Sequence, residues 1–153
     1  MSLIIILLIG TIFLFSYGNG EEVTNLTPTN YSEVDQLEGV DMFALDDSIT
    51  PTGLTLVYEN ETDTEFTYGE AYVLEENVDG EWFEVPIPSD ENYAFQDIGY
   101  ILEPNASAEL AVDWEWLFGA LDPGEYRLVK EALYVEEPGD FEAYPLAAEF
   151  IIE

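Results

Sequence analysis

Residues 121–128 read Leu121-Asp122-Pro123-Gly124-Glu125-Tyr126-Arg127-Leu128. Asp122-Pro123-Gly124 is a turn signal: proline presets φ and glycine relaxes the backbone, so the chain reverses and delivers Tyr126 to the start of an extended run. A tyrosine placed there can bury its ring and bond its hydroxyl back to the backbone a few residues upstream, tying a loop to a late strand of a β-sandwich. Leu128 follows two residues later and shares a face with Tyr126 if the run is extended. Pro123, Gly124, Tyr126 and Leu128 are therefore the expected structural residues of this corner.

On both sides of the corner the chain is a series of short apolar runs separated by turn signals. Strands are expected near Val40–Leu45, Leu54–Glu59, Phe66–Glu75, Trp82–Pro86, Ala94–Leu102, Ala108–Trp114, Tyr126–Val135 and Leu146–Ile152. The separators carry their own information. Thr50-Pro51-Thr52-Gly53 is a turn, Glu103-Pro104-Asn105 begins one at proline, and Asp79-Gly80 favours a two-residue hairpin because both positions need positive φ. In Leu54-Thr55-Leu56-Val57-Tyr58 the alternation puts Leu54, Leu56 and Tyr58 on one face, making Leu56 a core residue like Leu128. A helical turn is expected only at Glu115–Ala120. The pattern is that of an all-β antiparallel sandwich of about seven to nine strands.

The runs Thr50 to Leu56, Phe66 to Glu75, Asp79 to Pro86, Ala94 to Tyr100, Trp114 to Gly119 and Pro123 to Lys130 together resemble a bacterial immunoglobulin-like domain family. The resemblance extends from Val40 to Ile152. It implies an immunoglobulin-like sandwich acting as an extracytoplasmic accessory module without catalytic residues. In disulfide-bonded immunoglobulin-like domains a cysteine stands two residues after the corner tyrosine. Here that place holds Leu128, so an apolar contact takes over from the bridge. The chain departs from the family pattern in its scarcity of basic residues.

Leu3–Phe15 is an almost unbroken apolar run of thirteen residues, followed by small residues up to Gly20 and by acid from Glu21. This reads as a signal peptide over residues 1–20, with a short membrane anchor as the alternative; a bilayer span needs about twenty apolar residues. Residues 21–39 read as a flexible acidic leader and residues 40–153 as the domain. The expected location is therefore secreted or at the cell surface.

The 153 residues include 34 Asp and Glu against two basic residues, Arg127 and Lys130, for a net charge of −32. Such a surface repels nucleic-acid phosphates and anionic membranes. Protein or glycan ligands remain as partners, and mutual repulsion favours a monomer. There is no Cys and no His, which removes disulfides, thiol nucleophiles, Ser-His-Asp triads and the usual zinc sites. Acidic pairs abound without any pattern that selects two for general acid and base work, so no enzyme is expected.

No cofactor is expected beyond weak association of calcium or another cation. Its candidate ligands are Glu59, Glu61, Asp63 and Glu65, which alternate through a loop rich in hard oxygen donors. Trp82, Trp114 and Trp116 bring in sugar stacking, although a buried tryptophan in a sandwich is more often core. Arg127 and Lys130 are expected at the surface, paired with neighbouring carboxylates. The functional expectation is a non-enzymatic binding or structural module; the alternative is a carbohydrate-binding or calcium-dependent adhesive one.

Overall fold

A computed structural model describes residues 26–88 and 92–153. The expected signal segment 1–20 and the first part of the leader lie outside the described residues. Two antiparallel sheets face each other across one core. The first has three strands, β2 (Val40–Ala44), β3 (Gly53–Asn60) and β8 (Ala106–Asp113), with β3 in the middle.

The second is built on β9 (Gly124–Glu137). β10 (Asp140–Ile152) pairs with one of its edges from end to end, Gly124 opposite Ile152 and Glu137 opposite Asp140. The other edge takes β5 (Val73–Val78) along its first part and β4 (Phe66–Gly69) further on, with Val73 opposite Val129 and Thr67 opposite Leu133. Outside β5 lie β6 (Glu81–Glu84) and then β1 (Thr27–Pro28), whereas β7 (Gly99–Leu102) lies outside β4.

Period-two burial builds the core. Val40, Met42 and Ala44 from β2 and Leu54, Leu56 and Tyr58 from β3 meet Tyr126 and Leu128 from β9 and Leu146, Ala148, Phe150 and Ile152 from β10. Leu56, Tyr58, Leu128 and Leu146 are fully enclosed. Asp79 and Gly80 close the β5–β6 hairpin with φ of 54° and 88°, the left-handed geometry that a two-residue turn demands.

Several boundaries differ from the sequence reading. The run Phe66–Glu75 is two strands, because the chain bulges at Glu70–Tyr72 while it continues along the same edge of β9. Of Ala94–Leu102, only Gly99–Leu102 is strand. The two last strands are longer than expected and form a hairpin that turns at Gly139, with φ of 88°. Among the described residues helical turns form at two places: a 3₁₀ turn at Asp46–Ser48 and one α turn, α1, at Glu115–Phe118.

The described part of the expected leader is tied to the sandwich. Thr29 N–H donates to Trp82 O, Asp35 N–H to Pro145 O, and Ala147 N–H to an Asp35 carboxylate oxygen. The first two are backbone–backbone bonds and the third joins backbone to a carboxylate, and none of them needs an apolar pattern in the sequence. The split of one run and the two-residue β1 bring the described residues to ten strands, one more than the upper expectation.

Candidate functional site

The corner forms from its own turn. Tyr126 Oη donates to Asp122 O at 2.7 Å, and its ring stacks on Phe150 with centroids 5.8 Å apart. Phe150 in turn stacks on Trp114 at 5.4 Å. A Cβ added at Gly124 would stand 3.3 Å from the Tyr126 ring, so glycine there gives the tyrosine room to fold back. Burial raises the Tyr126 phenol to about 12, with the charges of Glu76 and Asp122 adding to it. The hydroxyl therefore stays protonated as a donor. Pro123 starts the turn, and Leu128 and Leu56 sit in the core.

The two basic side chains are placed otherwise than the sequence suggests: both are buried, Arg127 at 6% and Lys130 at 2% exposure. Arg127 Nε donates to Glu75 Oε2 at 2.6 Å, its guanidinium lies 4.4 Å above the Trp82 ring, and its Nη2 reaches Thr29 Oγ1 at 3.4 Å. The second Glu75 oxygen has no hydrogen-bond partner among the described residues. A surface pair would be weak. A buried one is costly to break, because either partner left alone is an uncompensated charge in a low dielectric.

Among the described residues Lys130 pairs with no carboxylate. Its Nζ donates to Gly69 O at 2.7 Å and Ala71 O at 2.8 Å, gripping the two carbonyls that the β4–β5 bulge turns away from the ladder. Burial lowers its pKa to about 8, against the raising effect of the Glu70 charge. The sequence offered no sign of this clasp, since a lysine among acids reads as a surface ion pair.

The calcium candidates Glu59, Glu61, Asp63 and Glu65 flank a loop that Asn60 organises. Asn60 is 2% exposed; its Nδ2 donates to Thr64 O and Glu103 O, and its Oδ1 accepts from Thr62 N–H and Oγ1. Asp63 accepts from Asn105 Nδ2 at 3.0 Å. Glu61, Asp63 and Glu65 point to solvent, and among the described residues no three acidic side chains gather closely enough to hold a metal ion.

The three tryptophans part company. Trp114 is core, its indole N–H bonded to Pro51 O at 2.8 Å; Trp82 lies under Arg127. Trp116, in α1, is 55% exposed and held by a bond from its indole N–H to Asp113 O at 2.9 Å. The α turn separates Trp114 from Trp116, so the two rings do not share a face as they would on an extended strand. Trp116 instead joins Phe95 and Tyr72 at one end of the sandwich, with centroids 5.9 Å and 4.9 Å from that of Phe95. Sequence reasoning missed this grouping, because Phe95 comes from an irregular segment and Tyr72 from the bulge.

Two facing antiparallel sheets locked by a tyrosine corner define an immunoglobulin-like sandwich. The family model for the bacterial Ig-like domain matches residues 36–151, and the chain belongs to that family. No curated protein matches the chain. Domains of this family are structural or binding modules, typically non-catalytic and commonly extracellular. Among the described residues no helix is long and apolar enough to cross a membrane.

Proposed function

We propose that the protein is an exported, non-catalytic binding module that meets cationic partners through an all-acidic surface. The observation that supports this reading is the burial of Arg127 and Lys130, the sole basic side chains among 153 residues. The solvent-facing side chains are consequently anionic or neutral. Such a surface raises the local concentration of cations and steers cationic proteins toward it. It also disfavours nucleic acids and anionic membranes, and it keeps copies of the chain apart as monomers. The apolar run Leu3–Phe15 followed by small residues supports export by cleavage near Gly20.

Two measurements test the proposal. Titration with a lysine-rich peptide from 0.01 to 1 M NaCl should give binding that weakens steeply, as the screening length falls from about 30 Å to about 3 Å; absence of binding at low salt refutes the partner class. Mass analysis of the protein from the extracellular fraction of producing cells should show a mature N-terminus near Glu21. A chain found only inside the cell refutes the export reading.

A further inference from the structure

We infer that the hollow between Tyr72, Phe95 and Trp116 is a binding site for a primary ammonium group, the head of a lysine side chain from a cationic partner. The inference rests on the cationic-partner reading and narrows it to one place. The Phe95 ring is inclined at 58° to Tyr72 and 82° to Trp116, so the three rings wrap a concavity instead of stacking flat. Glu70 and Asp113 complete the lining. Ring faces attract a cation through their quadrupole, most strongly when the ring is Trp.

The polar groups of the hollow call for N–H donors. Glu70 accepts from the Tyr100 hydroxyl through one oxygen and Asp113 from Glu115 N–H through one, so each carboxylate has a second oxygen to offer. Desolvation by burial, with the charge of Asp113, raises the Tyr72 pKa, so the phenol is neutral; its enclosed hydroxyl takes no part in binding. A primary ammonium brings three donors to the two free carboxylate oxygens; a quaternary ammonium brings none.

Size and preorganisation agree. The cavity measures about 70 Å³. A whole small-molecule site takes about 300–1,000 Å³, so this one suits the end of a side chain and not a sugar ring. Trp116 is exposed at the mouth yet fixed by its bond to Asp113 O. Lys130 is committed to the carbonyls of Gly69 and Ala71 on either side of Glu70 and does not line the hollow.

The test is an NMR titration of the full chain, held in non-ionic detergent at 0.15 M NaCl, with n-butylammonium and with a short peptide carrying one lysine. Saturable shifts centred on the Tyr72 and Phe95 rings are expected from both probes. A peptide with acetyl-lysine, or tetramethylammonium in place of butylammonium, should bind about tenfold more weakly. Trp116→Ala and Glu70→Gln should each lower affinity about tenfold, while Glu137→Gln, an equal charge change at the far hairpin, should leave it unaltered. Trp116 is a surface ring, and matching far-ultraviolet circular dichroism will show that the variant keeps the fold. Equal loss in all three variants, or shifts spread over the acidic surface, overturns the hollow and leaves the cationic-partner reading standing. Failure of both probes to bind while a lysine-rich peptide still does has the same meaning.

Discussion

The hairpin of β9 and β10 is one continuous ladder, yet its two halves are chemically opposite. In the half that runs from Gly124 to Ala132, opposite Tyr144 to Ile152, one face lies in the core and Arg127 and Val129 on the other face are buried too. In the half beyond, Val135 lies opposite Phe141 and Glu137 opposite Asp140, and every residue from Val135 to Ala143 is exposed. Hydrogen-bonded pairing is thus insufficient to assign a strand to the interior. The three-stranded sheet and the bulge pack on the first half, and the two basic side chains of the chain sit there, while the second half carries acid without a counter-charge.

The sharpest way to break this contrast is to remove a charge from the covered half. Arg127→Met should destabilise the domain by about 3–5 kcal/mol, because Glu75 would be left buried and unpaired; equilibrium urea unfolding measures it, and a small effect would mean that water reaches Glu75. Next come Leu128→Ala and Leu56→Ala, each expected to cost about 2–5 kcal/mol as enclosed side chains of facing sheets. A near-neutral result at either position would contradict its enclosure.

Lys130 sharpens the comparison through pH. Its folded pKa of about 8 lies below the ordinary 10.5. Between these values the unfolded chain binds more protons than the folded one, so stability should rise with pH across the window, by on the order of 2 kcal/mol. Tyr58 and Tyr72 are raised by burial and act oppositely, withdrawing stability as pH climbs above 10. Urea midpoints between pH 7.5 and 10 should show the rise in the native sequence and lose it in Lys130→Met. Tyr126→Phe should cost about 1 kcal/mol, the net worth of its bond to Asp122 O. Smallest of all, Phe141→Ser in the uncovered half should change stability by less than about 0.5 kcal/mol, and a larger loss would reveal a cover over that half.

The sequence is a good guide where side chains alternate or a turn has a fixed chemistry. Leu54, Leu56 and Tyr58 on one face, Asp79-Gly80 at a hairpin, and the Asp122-to-Tyr126 corner could all be read without coordinates. The bulge could not: it is marked only by Gly69-Glu70-Ala71, a weakly β-favouring break in the run Phe66 to Leu74 that does not by itself say the chain leaves the ladder. Nor could the start of β10, where only Phe141 and Ala143 alternate with acid and both are exposed. The partner of Arg127 was hidden among 34 carboxylates, since choosing Glu75 requires the pairing of β5 with β9. The aromatic hollow unites residues separated by more than forty positions in sequence, from a bulge, an irregular segment and a helical turn, none of which alternates.

The burial of Asn60 bears on how the protein can be produced. Asn60-Glu61-Thr62 is an N-glycosylation acceptor, and a eukaryotic secretory host attaches its sugar to the asparagine Nδ2 while the chain is still being made. In the folded domain that nitrogen is the donor to Thr64 O and Glu103 O. A glycan there would occupy a position with no outlet to solvent and hold open the loop that joins β3 to β4. Removing the acceptor at Thr62 is not innocuous either, because the Thr62 hydroxyl donates to Asn60 Oδ1. Hosts that lack the oligosaccharide transfer machinery are therefore the ones in which this chain can close its β3–β4 loop.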